Sequence, residues 1–106
     1  MSYIVLLTTT DSQEEAQNLA KQALERRLAA CVQIVGPMTS VYRWKGKIEM
    51  SQEYRCEMRT TTNHYVELAA MIVEQHSYEV PAIVTLPIAE IDREYAGWMD
   101  GQLGEV

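Results

Sequence analysis

The strongest candidate metal ligands in this chain are His76 and Glu79, which flank Tyr78 just behind a helical stretch. Irregular backbone at a helix end lets an imidazole and a carboxylate at this spacing turn into one cleft, and the pair suits copper or zinc. The plainer alternative is that His76 caps the helix C-terminus, where the dipole favours an imidazolium, while Glu79 sits in solvent. The sequence leans to the cap. Cys31 and Cys56 fall on neighbouring strands and could approach one another as a Cu(I) site. A small buried core residue is the commoner role of an unpaired cysteine. The methionines are scattered, so packing accounts for them better than copper does.

A second candidate surface is aromatic. Tyr42, Trp44, Lys45 and Lys47 surround a hairpin tip, and with Tyr78 and Trp98 they could form a ligand cleft or an interface between subunits. Trp and Tyr are the usual anchors of protein interfaces, and an anchor is the better reading of Trp44. Trp98 is expected to dock a terminal helix. For catalysis the chain offers no nucleophile elbow, no Gly-rich phosphate cradle and no His-Glu-x-x-His pair. The Thr8-Thr9-Thr10 run before a helix could hold an anion, yet Asp11, Glu14 and Glu15 would repel one. An enzyme is not expected.

The elements that position these residues are legible. Tyr3 to Thr9 reads as a first strand largely buried on both faces. Ser12 and Glu15 form a capping-box signature, and Ala16, Leu19, Ala20, Ala23, Leu24 and Leu28 recur at helical spacing, predicting a helix over 13–29. Two strand-like segments, 31–44 and 47–60, meet at Lys45-Gly46, a two-residue turn in which glycine supplies positive φ. That turn sets Trp44 opposite Lys47, Tyr42 opposite Glu49 and Val41 opposite Met50. Carried rigidly it would oppose Met58 to Gln33. A one-residue slip pairs Met58 with Val32 and Cys56 with Ile34 instead, and a bulge at Gly36-Pro37 is its natural place.

A second helix is expected to start at Thr62 or Asn63 as cap, with Tyr65, Leu68, Ala69, Ile72 and His76 on one stripe. Ala82 to Ile88 reads as an edge strand because of Pro87, and a short helix is expected after Asp92. The order strand, helix, strand, strand, helix, strand, with right-handed crossovers, defines an α+β, ferredoxin-like βαββαβ antiparallel sheet in the order 4-1-3-2. Both prolines within strands then fall on its edges.

The central hairpin is too long for such a body. Each arm holds roughly 13 residues, about 40 Å of extended chain, whereas a domain of this length has a radius of gyration of about 13 Å. Its tip carries Val41, Tyr42, Trp44, Ile48 and Met50. An isolated two-stranded ribbon bearing such side chains is barely stable in water, so other copies are expected to cover it in a closed oligomer.

Composition fits one domain spanning 1–106: the hydrophobic fraction is 47% and the net charge −6. The acidic balance excludes nucleic acid and anionic membranes as partners, because these require clustered cations. Tyr3 to Leu7 is too short for a signal core or a membrane span, and two cysteines make no disulfide framework, so a reducing cytoplasm is expected. The tail from Gly101 to Val106 is expected to fray.

Three blocks carry a resemblance. LAACVQIVGPMTSVYRWKGKIE (Leu28 to Glu49), HSYEVPAIVTLPI (His76 to Ile88) and YAGWM (Tyr95 to Met99) resemble, in order and spacing, the signature blocks of the CutA family. The resemblance implies a ferredoxin-like protomer and a tight homotrimer built through the long hairpins. It also implies architecture shared with PII-type signalling proteins and a link to divalent-metal tolerance, with copper binding attributed to some members. The alternative it leaves open is a small-ligand sensor using intersubunit clefts without direct metal binding. The family-type metal ligands, a Cys, a His and a Glu, fall here at Thr8, Gln75 and Ala82. None of these is a good soft-metal ligand.

Overall fold

Alternation along Tyr3–Thr10 (β1) puts Ile4, Leu6, Thr8 and Thr10 in the core and leaves the intervening side chains half-buried. One face is therefore fully enclosed, rather than both. The computed structural model describes residues 1–104. After β1 come α1 (Gln13–Glu25), β2 (Cys31–Trp44), β3 (Lys47–Thr61), α2 (Tyr65–Gln75), β4 (Val84–Pro87) and α3 (Arg93–Gln102). The antiparallel sheet runs β2-β3-β1-β4, the order expected, with both proline-bearing strands at its edges.

Leu6, Cys56 and Met58 on the sheet pack against Ala16, Leu19 and Ala23 of α1 and Leu68, Met71 and Ile72 of α2. These residues form the main core. A smaller cluster, Ala30, Met99 and Leu103, holds α3 with help from Tyr3, Ile91 and Tyr95. Met99 and Leu103 therefore dock the terminal helix, whereas Trp98 is 46% exposed and stacks on Tyr95. Leu103 is buried, so the expected fraying does not begin at Gly101; residues 105 and 106 lie outside the described residues.

Helix α1 stops short of the expected Ala29. Arg27 takes a left-handed φ of 55°, and the Leu28 and Arg27 amides return to the Ala23 and Leu24 carbonyls. This is the Schellman closure, which here forms without glycine. The apolar stripe continues into the core through Leu28 and Ala29 as a loop. The start of α2 differs too. A 3-10 turn, Thr62–His64, precedes it, and neither Thr62 nor Asn63 caps the helix with its side chain. Thr62 instead accepts from the Ser2 amide. The last strand is shorter than expected, covering only Val84–Pro87.

The hairpin matches its expected register throughout. Trp44 opposes Lys47, Tyr42 opposes Glu49, Val32 opposes Met58 and Ile34 opposes Cys56, with the shift between Val35 and Met38. Lys45 and Gly46 both have positive φ, as a two-residue primed turn requires. At the bulge, a Cβ on Gly36 would lie 2.7 Å from Tyr54 Cδ1 and 2.9 Å from the Glu53 carbonyl oxygen, so only glycine admits this approach. Strand β1 pairs with β3 only as far as Thr10 opposite Tyr54. Beyond Tyr54 the ribbon has no third strand. It extends the chain to 47 Å along its long axis, against 25 and 22 Å across. Val41, Ile48 and Met50 are each more than three-fifths exposed there.

Candidate functional site

Where β1 and β4 end and the hairpin continues, the structure opens a cavity of about 510 Å³. Tyr42 and Trp44 reach it from β2, Glu53 from β3, and Tyr78 and Glu79 from the segment after α2. That segment has no regular structure, and its placement depends on two side chains. Ser12 caps α1 by accepting from the Glu15 amide, but Glu15 does not complete the capping box. Its carboxylate instead accepts from the Thr10 hydroxyl, from the Ser77 amide at 2.7 Å and from the Ser77 hydroxyl at 3.0 Å. Partial burial pushes the Glu15 carboxyl up, and the hydrogen bonds from Thr10 and Ser77 outweigh it, leaving it below its ordinary value.

His76 is the second tie. Its Nε2–H donates to the Thr9 carbonyl at 2.8 Å, and its Nδ1 accepts from the Tyr78 amide at 3.0 Å. Those bonds define a neutral imidazole with the proton on Nε2. The helix-cap expectation is right about position, since His76 is the C-cap of α2, but the ring bonds β1 and Tyr78 rather than helix carbonyls. A metal at His76 would have to take a nitrogen from one of those partners. Glu79 is exposed and lines the cavity, whereas His76 is not among the cavity's lining residues. Among the described residues no three His, Cys, Asp or Glu side chains gather in a metal-sized group.

The remaining candidates separate clearly. Tyr42, Trp44 and Tyr78 meet at the cavity, with Tyr42 also bonded to Ser51. The Lys45 ammonium stands 5.8 Å from the centre of the Trp44 ring. Lys45 and Lys47 are exposed at the tip and do not line the cavity. Trp98 instead lies on α3, half-exposed and stacked on Tyr95, and does not line the cavity. Cys31 and Cys56 do not meet either. Cys56 lies on the core face, where burial pushes its thiol up to about 11, while Cys31 pairs with Arg59 and accepts from its guanidinium on the opposite face. The family-type position Thr8 is buried, and among the described residues its hydroxyl has no hydrogen-bond partner.

Glu53 is the residue that sequence reasoning missed. It shares the alternation of Arg55 and Glu57 and so reads as a solvated strand face, yet it is only 6% exposed. The Tyr78 hydroxyl donates to its carboxylate at 2.7 Å. Burial and then that hydrogen bond hold the Tyr78 phenol above its ordinary range. The sequence carries no local signal for this contact, because its other half arrives from 25 residues away on an aperiodic segment.

The βαββαβ connectivity, the sheet order and the two helices packed on one face define a ferredoxin-like α+β protein. The model of the CutA1 divalent ion tolerance protein family matches residues 4–102, and the chain belongs to that family. It is 45% identical over 100 residues to the divalent-cation tolerance protein CutA of Thermus thermophilus, covering 94% of this chain and 97% of that one. The solved structure of the divalent cation tolerance protein from the same organism superposes with a TM-score of 0.88 at 46% identity, covering 91% of this chain and 93% of that one. The CutA structure from Archaeoglobus fulgidus, described as periplasmic, superposes with a TM-score of 0.92 at 35% identity, covering 95% and 98%. Among the described residues no helix is long and apolar enough to cross a membrane.

Proposed function

We propose that this chain acts as a homotrimeric binding or signalling module in the tolerance of divalent metal ions, copper among them, and that it is not an enzyme. The overhanging hairpin carries the oligomer part of this reading. Beyond Tyr54 a two-stranded ribbon exposes Val41, Ile48 and Met50 with open strand edges, an arrangement stable only when covered. Closed symmetry is the ordinary way for copies to cover one another, and the trimer follows the family resemblance. The metal link comes from what the relatives are called. A binding role suits the cavity at the hairpin root, which holds aromatic rings and carboxylates without a nucleophile or general base paired for catalysis. A cytoplasmic setting fits two unpaired cysteines.

Light scattering on the purified protein at micromolar concentration tests the assembly. A mass about three times the 12.1 kDa chain supports it, and a single species of 12.1 kDa overturns it.

A further inference from the structure

A closed ring of three copies cannot be built from a single surface. Its contacts are head-to-tail, so the patch offered by one copy must meet a different patch on the next. The overhanging ribbon supplies the first. Val41 and Met50 are opposed across the hairpin and Ile48 stands two residues from Met50, so the three share one ribbon face. All three are largely exposed.

The second patch lies on the sheet itself. Helices α1 and α2 cover one side of it. On the other side the register sets Val5 beside Leu86 and Leu7 beside Val84. Val5 and Leu7 are half-buried there, and Val84 and Leu86 are half-exposed. Helix α3 meets this side at one end, where the Arg59 guanidinium donates to the Tyr95 hydroxyl at 3.5 Å. Four aliphatic side chains in adjacent rows form a contiguous patch, and such a patch marks a contact surface. The unbroken run Ile4-Val5-Leu6-Leu7 is likewise that of a strand enclosed on both sides. Strand β4 also ends the sheet, so its outer side is a free edge, as is the β3 edge beyond Tyr54.

We infer that the ribbon of each copy lies on the open sheet face of the next, with Val41, Ile48 and Met50 covering Val5, Leu7, Val84 and Leu86. The inference rests on the reading of the chain as a closed homotrimer and names the surface that receives the hairpin. Two other pairings fit less well. Ribbon on ribbon closes at two copies and leaves the sheet face bare. Val66 and Val73 on α2 are exposed too, but a single helix has no strand edge to receive a ribbon.

Disulfide trapping on the full chain tests it, in a Cys31→Ser background that leaves only the buried Cys56. Ile48→Cys or Met50→Cys is combined with Val84→Cys or Leu86→Cys, and the four double variants are oxidised with diamide. Within one chain the sites cannot meet. Leu86 and Arg59 both flank Val5, and Met50 lies nine residues from Arg59 along β3, about 30 Å. At least one pair should give covalent two- and three-copy bands on denaturing gels without reductant, while each single-cysteine variant stays at one copy. Val84→Lys and Leu86→Lys introduced together should lower the light-scattering mass about threefold, to the 12.1 kDa chain, with circular dichroism unchanged. Val66→Lys and Val73→Lys together should leave the mass as it is. The inference is overturned by the absence of bands from every pair, by bands from a single ribbon cysteine, by undiminished mass in the β4 variant or by dissociation of the α2 variant. If the parent protein scatters as three copies in any of these cases, the trimer stands and only the receiving surface falls; a parent of 12.1 kDa removes the trimer itself.

Discussion

The Tyr78 hydroxyl donates a 2.7 Å hydrogen bond to the carboxylate of Glu53, joining the segment behind α2 to the root of the long hairpin. Glu53 is 6% exposed, so this bond meets part of the hydrogen-bonding need of a buried charge. Tyr78→Phe deletes only the hydroxyl. The variant should lose about 1–3 kcal/mol of unfolding free energy, read as a lower urea midpoint at fixed protein concentration. An unchanged midpoint would mean that Glu53 finds water or another donor at no cost.

His76 holds the same segment by a different means, with Nε2–H bonded to the Thr9 carbonyl and Nδ1 receiving the Tyr78 amide. Because both nitrogens are engaged, His76→Ala should lower stability by about 1–3 kcal/mol. It should leave copper and zinc titration curves unchanged. A clear loss of metal affinity in this variant would instead restore His76 as a ligand.

Glu15 gives the fold an acid sensitivity. Hydrogen bonds from Thr10 and Ser77 hold its folded-state carboxyl below the ordinary value. A depressed carboxylate contributes stability that is present above the unfolded value of 4.5 and is lost as pH falls through the lower folded value. Glu15→Gln should therefore be less stable than the parent at neutral pH, and the gap should close in acid. Parallel denaturation curves from neutral pH down to about pH 3 would show this. A gap independent of pH would assign the loss to packing.

Gly36 stands where β2 nearly touches β3 at Glu53 and Tyr54. A methyl group there meets backbone at 2.9 Å, so Gly36→Ala must displace the bulge. A loss of more than about 1 kcal/mol in stability is expected. Wild-type stability would show that β3 yields without cost.

What the sequence made legible was local or nearly so. The Lys45-Gly46 turn fixes the register of its two arms, and a core that needs Cys56 and Met58 opposite Ile34 and Val32 forces the slip at Gly36-Pro37. The end of α1 was not legible, because Arg27 adopts a conformation that composition assigns to glycine. At the site, Tyr42, Trp44, Tyr78 and Glu79 could be named from residue type, yet their common cavity could not. It depends on Glu15 and His76 pinning an aperiodic segment across β1. Glu53 was hidden for the same reason: strand alternation describes a sheet face, and this face is covered from afar.

The central claim is that other copies of the chain cover the hairpin beyond Tyr54. Hydrogen exchange on the peptides spanning residues 39–51 at micromolar protein tests it directly, because an uncovered two-stranded ribbon opens readily. The account predicts protection there comparable to β1, falling when Ile48→Glu and Met50→Glu are introduced together. Exchange as fast as in an open loop, unaltered by those substitutions, would contradict it.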